Sequence, residues 1–227
     1  MTTSGAFTFD LDTLDLVEEA YEMVGMEVRG GYDLRSARRS LNLLMREWGN
    51  RGLNMWTLNE FTVPWPANAS SVTLPFKVID LLDVFWRTGE GTAQQDIGLS
   101  RYSVSQWAQV TNKNMQGSPS QFYINRLQPN PVCYLWPVPS EDGTFGGWGL
   151  RIMEDVGAYT NTLDVPNRFL PALVSGLAYH LALKSPAAAE RIPLLQQEYE
   201  RQFMLAAEED RDRASFFMVP DLSSYSR

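Results

Sequence analysis

The sequence predicts an α+β fold: a helical bundle of two N-terminal and two C-terminal helices, with a small antiparallel β-sheet or sandwich inserted between the pairs and an extended C-terminal arm. Three observations carry this reading. Apolar residues recur at spacings of three and four near both ends; the stretch from Trp56 to Asp155 breaks into short β-prone runs separated by Pro, Gly, Asn and Ser; and periodicity stops after Arg213. The boundaries follow: residues 1–55 for an N-terminal helical hairpin, 56–160 for the β-rich insertion, 161–213 for the C-terminal helices and 214–227 for the tail.

Leu14, Val17, Tyr21 and Val24 form a helical stripe that starts at Asp12 or Thr13, and Gly25 is placed to end it. Gly30 and Gly31 supply a turn, Asp33 is the expected N-cap of the second helix, and Leu34, Ala37, Leu41, Leu44 and Trp48 continue at helical spacing until Gly49. An antiparallel hairpin of these two helices is expected. The β-prone runs are Phe61 to Trp65, Ser71 to Leu74, Val78 to Arg87, Gln121 to Leu127, Val132 to Val138 and Trp148 to Asp155. Ser103 to Val110 is expected as one or two helical turns capped by Ser103 or Ser105, and Gly89 to Gln95 and Asn112 to Ser120 as exposed loops. Gly89-Glu90-Gly91 and Gly146-Gly147 lack the spacing and the following Lys of a phosphate loop, so both read as turns.

Pro166 suits the first turn of a helix, where its missing N–H is not needed. From there Leu170, Leu173, Leu177 and Leu181 recur, widened by Phe169, Val174 and Ala178. A last helix opens around Pro186 to Ala189, with Leu194 or Leu195, Tyr199, Phe203 and Ala206 on one side and charges on the other. The tail keeps Phe216, Phe217, Met218, Val219, Pro220, Leu222 and Tyr225 without a core of its own, which points to burial on a partner.

A chain of 227 residues can bury a core as one unit, and its formal net charge of −8 argues against gripping nucleic acid through phosphate neutralisation. Against that background the second helix carries Arg35, Arg38, Arg39 and Arg46, with Arg51 close by. This face is either solvated and paired with neighbouring carboxylates, or a contact with a partner or sister subunit. The single Cys133 excludes an internal disulfide and lies in an apolar run, as a small buried thiol would. No apolar run reaches the ~18 residues of a membrane span, and Met1 to Asp10 lacks a signal-peptide pattern, so a soluble protein folded in a reducing cytoplasm and not exported by that route is expected.

Catalytic signals are sparse. His180 is the only histidine and lies in an apolar helix, where a structural role is expected; one His and one Cys cannot build a zinc site or a nucleophilic triad. No cofactor motif is read, and Asp10, Asp12 and Asp15 look like helix-capping charge. Two alternatives use other residues. Glu141 and Asp142, or Glu154 and Asp155, would serve a peptidoglycan or glycoside hydrolase; Trp65, Trp86, Trp107, Trp136 and Trp148 would stack on sugars in a carbohydrate-binding module, or fill a β core.

Ser36-Ala37-Arg38-Arg39-Ser40-Leu41-Asn42-Leu43-Leu44, followed by Glu47-Trp48 and Asn50-Arg51-Gly52-Leu53-Asn54-Met55-Trp56, resembles the helix-two signature of tailed-phage head-to-tail adaptor (connector) proteins. That group includes the tail tubular A protein and the tail accessory (head completion) factor of short-tailed phages. Leu135-Trp136-Pro137-Val138-Pro139 resembles its strand-turn element, and Leu163-Asp164-Val165-Pro166 with Pro171-Ala172-Leu173 and Gly176-Leu177-Ala178 resembles its third helix. The resemblance implies a non-enzymatic virion protein in a dodecameric ring beneath the portal protein. The ring extends the DNA channel, helps retain and eject the genome, and seats a tail nozzle or tubular protein and tail fibres. Double-stranded DNA then passes without specific binding. It also implies that the aromatic tail docks on the portal, and that the arginine face meets a sister subunit, the portal or the channel.

Overall fold

The computed structural model describes residues 9–52, 55–75, 77–127 and 130–210. The Asp12 carboxylate accepts hydrogen bonds from the Leu14 and Asp15 N–H groups, both at 2.9 Å, and so starts helix α1, Thr13–Val24. Gly25 ends it at φ 80°, where a side chain would be strained. Helix α2 spans Gly31–Asn50 and buries Ala37, Leu41, Leu44, Met45 and Trp48. Asp33 is not its N-cap. It lies inside the first turn, and its carboxylate reaches back to the Arg29 N–H at 3.1 Å.

Among the described residues the middle of the chain contributes nine strands: β1 Leu58–Trp65, β2 Ser71–Thr73, β3 Val78–Thr88, β4 Gln95–Arg101, β5 Gln116–Gly117, β6 Gln121–Asn125, β7 Val132–Trp136, β8 Val138–Pro139 and β9 Gly143–Arg151. Seven of them form one sheet in the order β1-β9-β3-β4-β6-β7-β2, and β5 pairs with β8 apart from it. Every neighbour in the large sheet is antiparallel except β4 and β6, which run parallel through Ser100↔Gln121 and Arg101↔Phe122. A parallel pair needs a crossover. Helix α3, Val104–Gln109, lies in it, capped by Ser103 in a reciprocal box with Gln106. One face of the sheet buries Phe61, Trp65, Leu81, Trp86, Phe122, Leu135 and Phe145, with Cys133 among them.

After β9 the chain runs to a 3-10 turn at Asn167–Phe169 and helix α4, Leu170–Ala182, in which ten residues are buried on all sides. Such a helix takes the centre of a body. A 3-10 segment, Pro186–Arg191, leads into α5, Ile192–Glu209; of its two candidate leucines, Leu195 is buried and Leu194 exposed. Helices α1, α2 and α5 each pack on α4, whereas α1 and α2 meet only lightly.

These observations correct the expected fold class. The sheet is a seven-stranded mixed layer, not a small antiparallel insertion, and the five helices among the described residues do not make a two-plus-two bundle. The expected hairpin of α1 and α2 gives way because α4, apolar all round, offers each of them more surface than they offer each other. Two strand assignments also move: β9 begins at Gly143 and ends at Arg151, so Gly146-Gly147 sits inside a strand and not in a turn, and β4 occupies a stretch expected to hold no strand.

The connection from β9 to α4 binds the two layers. Met153, Val156 and Val165 join the helical core, and the Trp56 indole N–H donates to the Asp164 carbonyl at 3.0 Å. Thr13 N–H and Leu14 N–H, at the free start of α1, donate to the Asn161 and Tyr159 carbonyls at 3.1 and 3.0 Å. Asp164 pairs with Arg151 and accepts the Glu154 N–H at 3.0 Å. Burial pushes its carboxyl up, but these donors outweigh that and hold it below the usual range.

Candidate functional site

At 3.6 residues per turn, Tyr32, Arg35, Arg39 and Leu43 fall on the side of α2 opposite Leu41 and Trp48, and all four are exposed. The adjoining row is Arg38, Asn42 and Arg46. That row grips the β9–α4 connection: Arg38 Nε donates to the Val156 carbonyl at 3.1 Å, Asn42 Oδ1 accepts the Val156 N–H at 3.0 Å, and Arg46 donates to the Met153 carbonyl at 3.2 Å while pairing with Asp155. The four arginines singled out in the sequence thus divide. Arg38 and Arg46 face the connection, and Arg35 and Arg39 point outward, where neither has a hydrogen bond or ion pair among the described residues. Lys184, from the end of α4, donates to Ser36 and Ser40 on the same helix. Burial and the Arg39 charge both depress its ammonium from the ordinary lysine value.

Sequence reasoning passed over the matching feature on α1. Asp15, Glu18, Glu19 and Glu22 all lie on its exposed side, opposite Leu16, Ala20 and Val24, and no Lys or Arg pairs with any of them among the described residues. The signal was present in the spacing of these carboxylates, complementary to the apolar stripe. Between α1, α4 and α5 runs an apolar groove floored by Leu170, Pro171 and Val174 and edged by Leu11, Met23 and Glu19.

The other candidate residues are spread over the molecule. Phe216, Phe217, Met218, Val219, Pro220, Leu222 and Tyr225 lie outside the described residues. His180 is partly buried with Nε2 at 3.5 Å from Glu47. Cys133 is buried, and burial pushes its thiol up, away from the reactive thiolate. The Asp142 carboxylate accepts the Ala67 N–H at 2.7 Å, and Asp155 faces Arg46. Trp65 and Trp86 fill the sheet core, while Trp107 of α3 stacks on Tyr123 at 5.5 Å between centroids and Trp148 is half exposed.

No helix among the described residues is long and apolar enough to cross a membrane. A search of curated proteins gave no match. The family profile described as SU10 adaptor protein matches residues 13–221, from the first turn of α1 through the sheet and past the end of α5. The chain therefore belongs to the SU10 adaptor protein family, a family of phage head-to-tail adaptors.

Proposed function

We propose that this protein is a virion component that joins the portal to the tail nozzle or tube as a ring of identical subunits, prolonging the DNA channel and helping to retain and eject the genome. The observation that carries this reading is the extent of the family match, which takes in both helical ends and the whole sheet. The net charge of −8 supports it physically, because an acidic ring presents a weakly binding wall along which DNA slides. The aromatic tail at 214–227 is assigned to the portal, where burying its side chains offsets the cost of ordering them.

The test is light scattering on a sizing column, first of the purified chain alone and then with the portal ring encoded by the same genome. Conversion to a complex with one subunit per portal subunit is the expected result. A chain that elutes unchanged in the presence of portal would remove this reading.

A further inference from the structure

We propose that the outward face of α2, formed by Tyr32, Arg35, Arg39 and Leu43, docks on α1 of a second copy of this chain, with its arginines against Asp15, Glu18 and Glu22 of that copy. The inference deepens the adaptor reading and rests on it for the presence of identical neighbours.

Charge complementarity is the first argument. Arg51, Arg87, Arg101, Arg151 and Arg168 each hold a carboxylate of their own chain. Arg35 and Arg39 hold none among the described residues, in a protein with 27 acidic against 19 basic residues. Among the described residues the carboxylates of α1 are equally without basic partners, and no ion pair joins α1 to α2. Each stripe lacks what the other has.

Dimensions agree. Asp15 to Glu22 spans about 10 Å along the axis of α1, and Arg35 to Arg39 about 6 Å along α2, so two crossing helices bring both arginines within reach of the carboxylate row. Tyr32 and Leu43, 68% and 64% exposed, flank the arginines and supply apolar cover that would exclude water from the pairs. A phosphate backbone would use the arginines but has no call on that apolar flank, and the chain as a whole repels it.

The contact joins unlike surfaces. Each copy would spend its α2 on one neighbour and its α1 on the other, which is the heterologous arrangement that closes into a ring when the rotation permits.

Cross-linking of the full chain tests this. The Glu18→Cys chain is mixed with the Arg39→Cys chain at high protein concentration and mildly oxidised; buried Cys133 stays out of the reaction. A mixed disulfide dimer, and a ladder of higher species from the doubly substituted chain, are expected. Cross-linking no greater than in either singly substituted chain alone overturns the proposal. A second arm reverses charge: Arg35→Glu with Arg39→Glu, or Glu18→Arg with Glu22→Arg, abolishes association, and mixing the two variants restores it through alternation. Association unaffected by either reversal, or not restored by mixing, overturns it, as does DNA retardation that depends on Arg35 and Arg39 without any cross-link. The cross-link needs no portal. A ladder from a chain that ignores portal would sink the portal reading and leave this contact standing, and portal binding without a cross-link would do the reverse.

Discussion

Trp48 is fully buried yet carries an N–H, and the fold answers with the Tyr199 hydroxyl at 3.0 Å, which in turn donates to Glu47 at 3.1 Å. Glu47 also pairs with Arg51, whose guanidinium lies over the Phe203 ring, and no buried side-chain polar atom among the described residues is left unsatisfied. His180 sits at the edge of this network. Burial is the main influence and lowers its imidazole below the ordinary value; Glu47 opposes the shift and Lys184 adds to it. Between that lowered value and about 6.5, the unfolded chain binds the proton more readily than the folded one, so stability rises with pH through this interval and is complete above it. Replacing this sole histidine, as His180→Gln, removes that slope. Urea midpoints compared at about pH 5 and about pH 8 should show a smaller difference in the variant than in the wild type. That His180 lies in an apolar helix was legible in the sequence; its carboxylate partner on α2 was not, because nothing local links residues so far apart.

At the scale of elements, helices were easier to read than strands. The three-and-four spacing of α1, α2, α4 and α5 survives any choice of neighbour, whereas β4 offers only the short alternation of Ile97 and Leu99 among polar residues and Gly98, and in the fold only Leu99 of these is less than exposed. Strand β9 misled for a different reason. Glycine marks turns, but it also marks close approach, and here the second meaning applies. A Cβ on Gly143 would lie 2.2 Å from the Trp86 ring, and one on Gly147, at φ 153°, would lie 2.3 Å from the Asp83 carbonyl oxygen. These glycines let β9 slot between β1 and β3 across the register shift near Val84. Gly147→Ala should therefore destabilise by about 1–3 kcal/mol, seen as a lowered thermal midpoint, since both backbone strain and a backbone clash are introduced. An unchanged midpoint would mean that the strand shifts freely at this point.

For the whole molecule, the wrong expectation was the arrangement of helices and the weight of the sheet. Periodicity tells which face of a helix is buried but not against what, and α4, buried on all sides, reorganises the others around itself. The arginine face was visible in the sequence; which arginines the chain keeps for its own β9–α4 connection was not. That connection can be tested directly. Asn42→Ala removes the acceptor for the Val156 N–H and should cost about 1 kcal/mol, with faster hydrogen exchange at Val156 than in the wild type. Exchange at an unaltered rate would show that Arg38 and Arg46 suffice to hold the segment.

The central place of α4 also governs how the protein is made. Helices α1 and α2 leave the ribosome before α4 and have little to bury against each other, and α4, which covers both, follows only after the nine strands of the described residues have been synthesised. Completing the sheet waits in the same way, since β9, the last strand of the described residues, pairs with β1 through Leu58↔Leu150. Folding is thus dominated by contacts distant in sequence, which form slowly and leave apolar surface open in the interval. Until α4 is made, α1 and α2 therefore lack the surface that covers them, and β1 lacks its partner in the sheet.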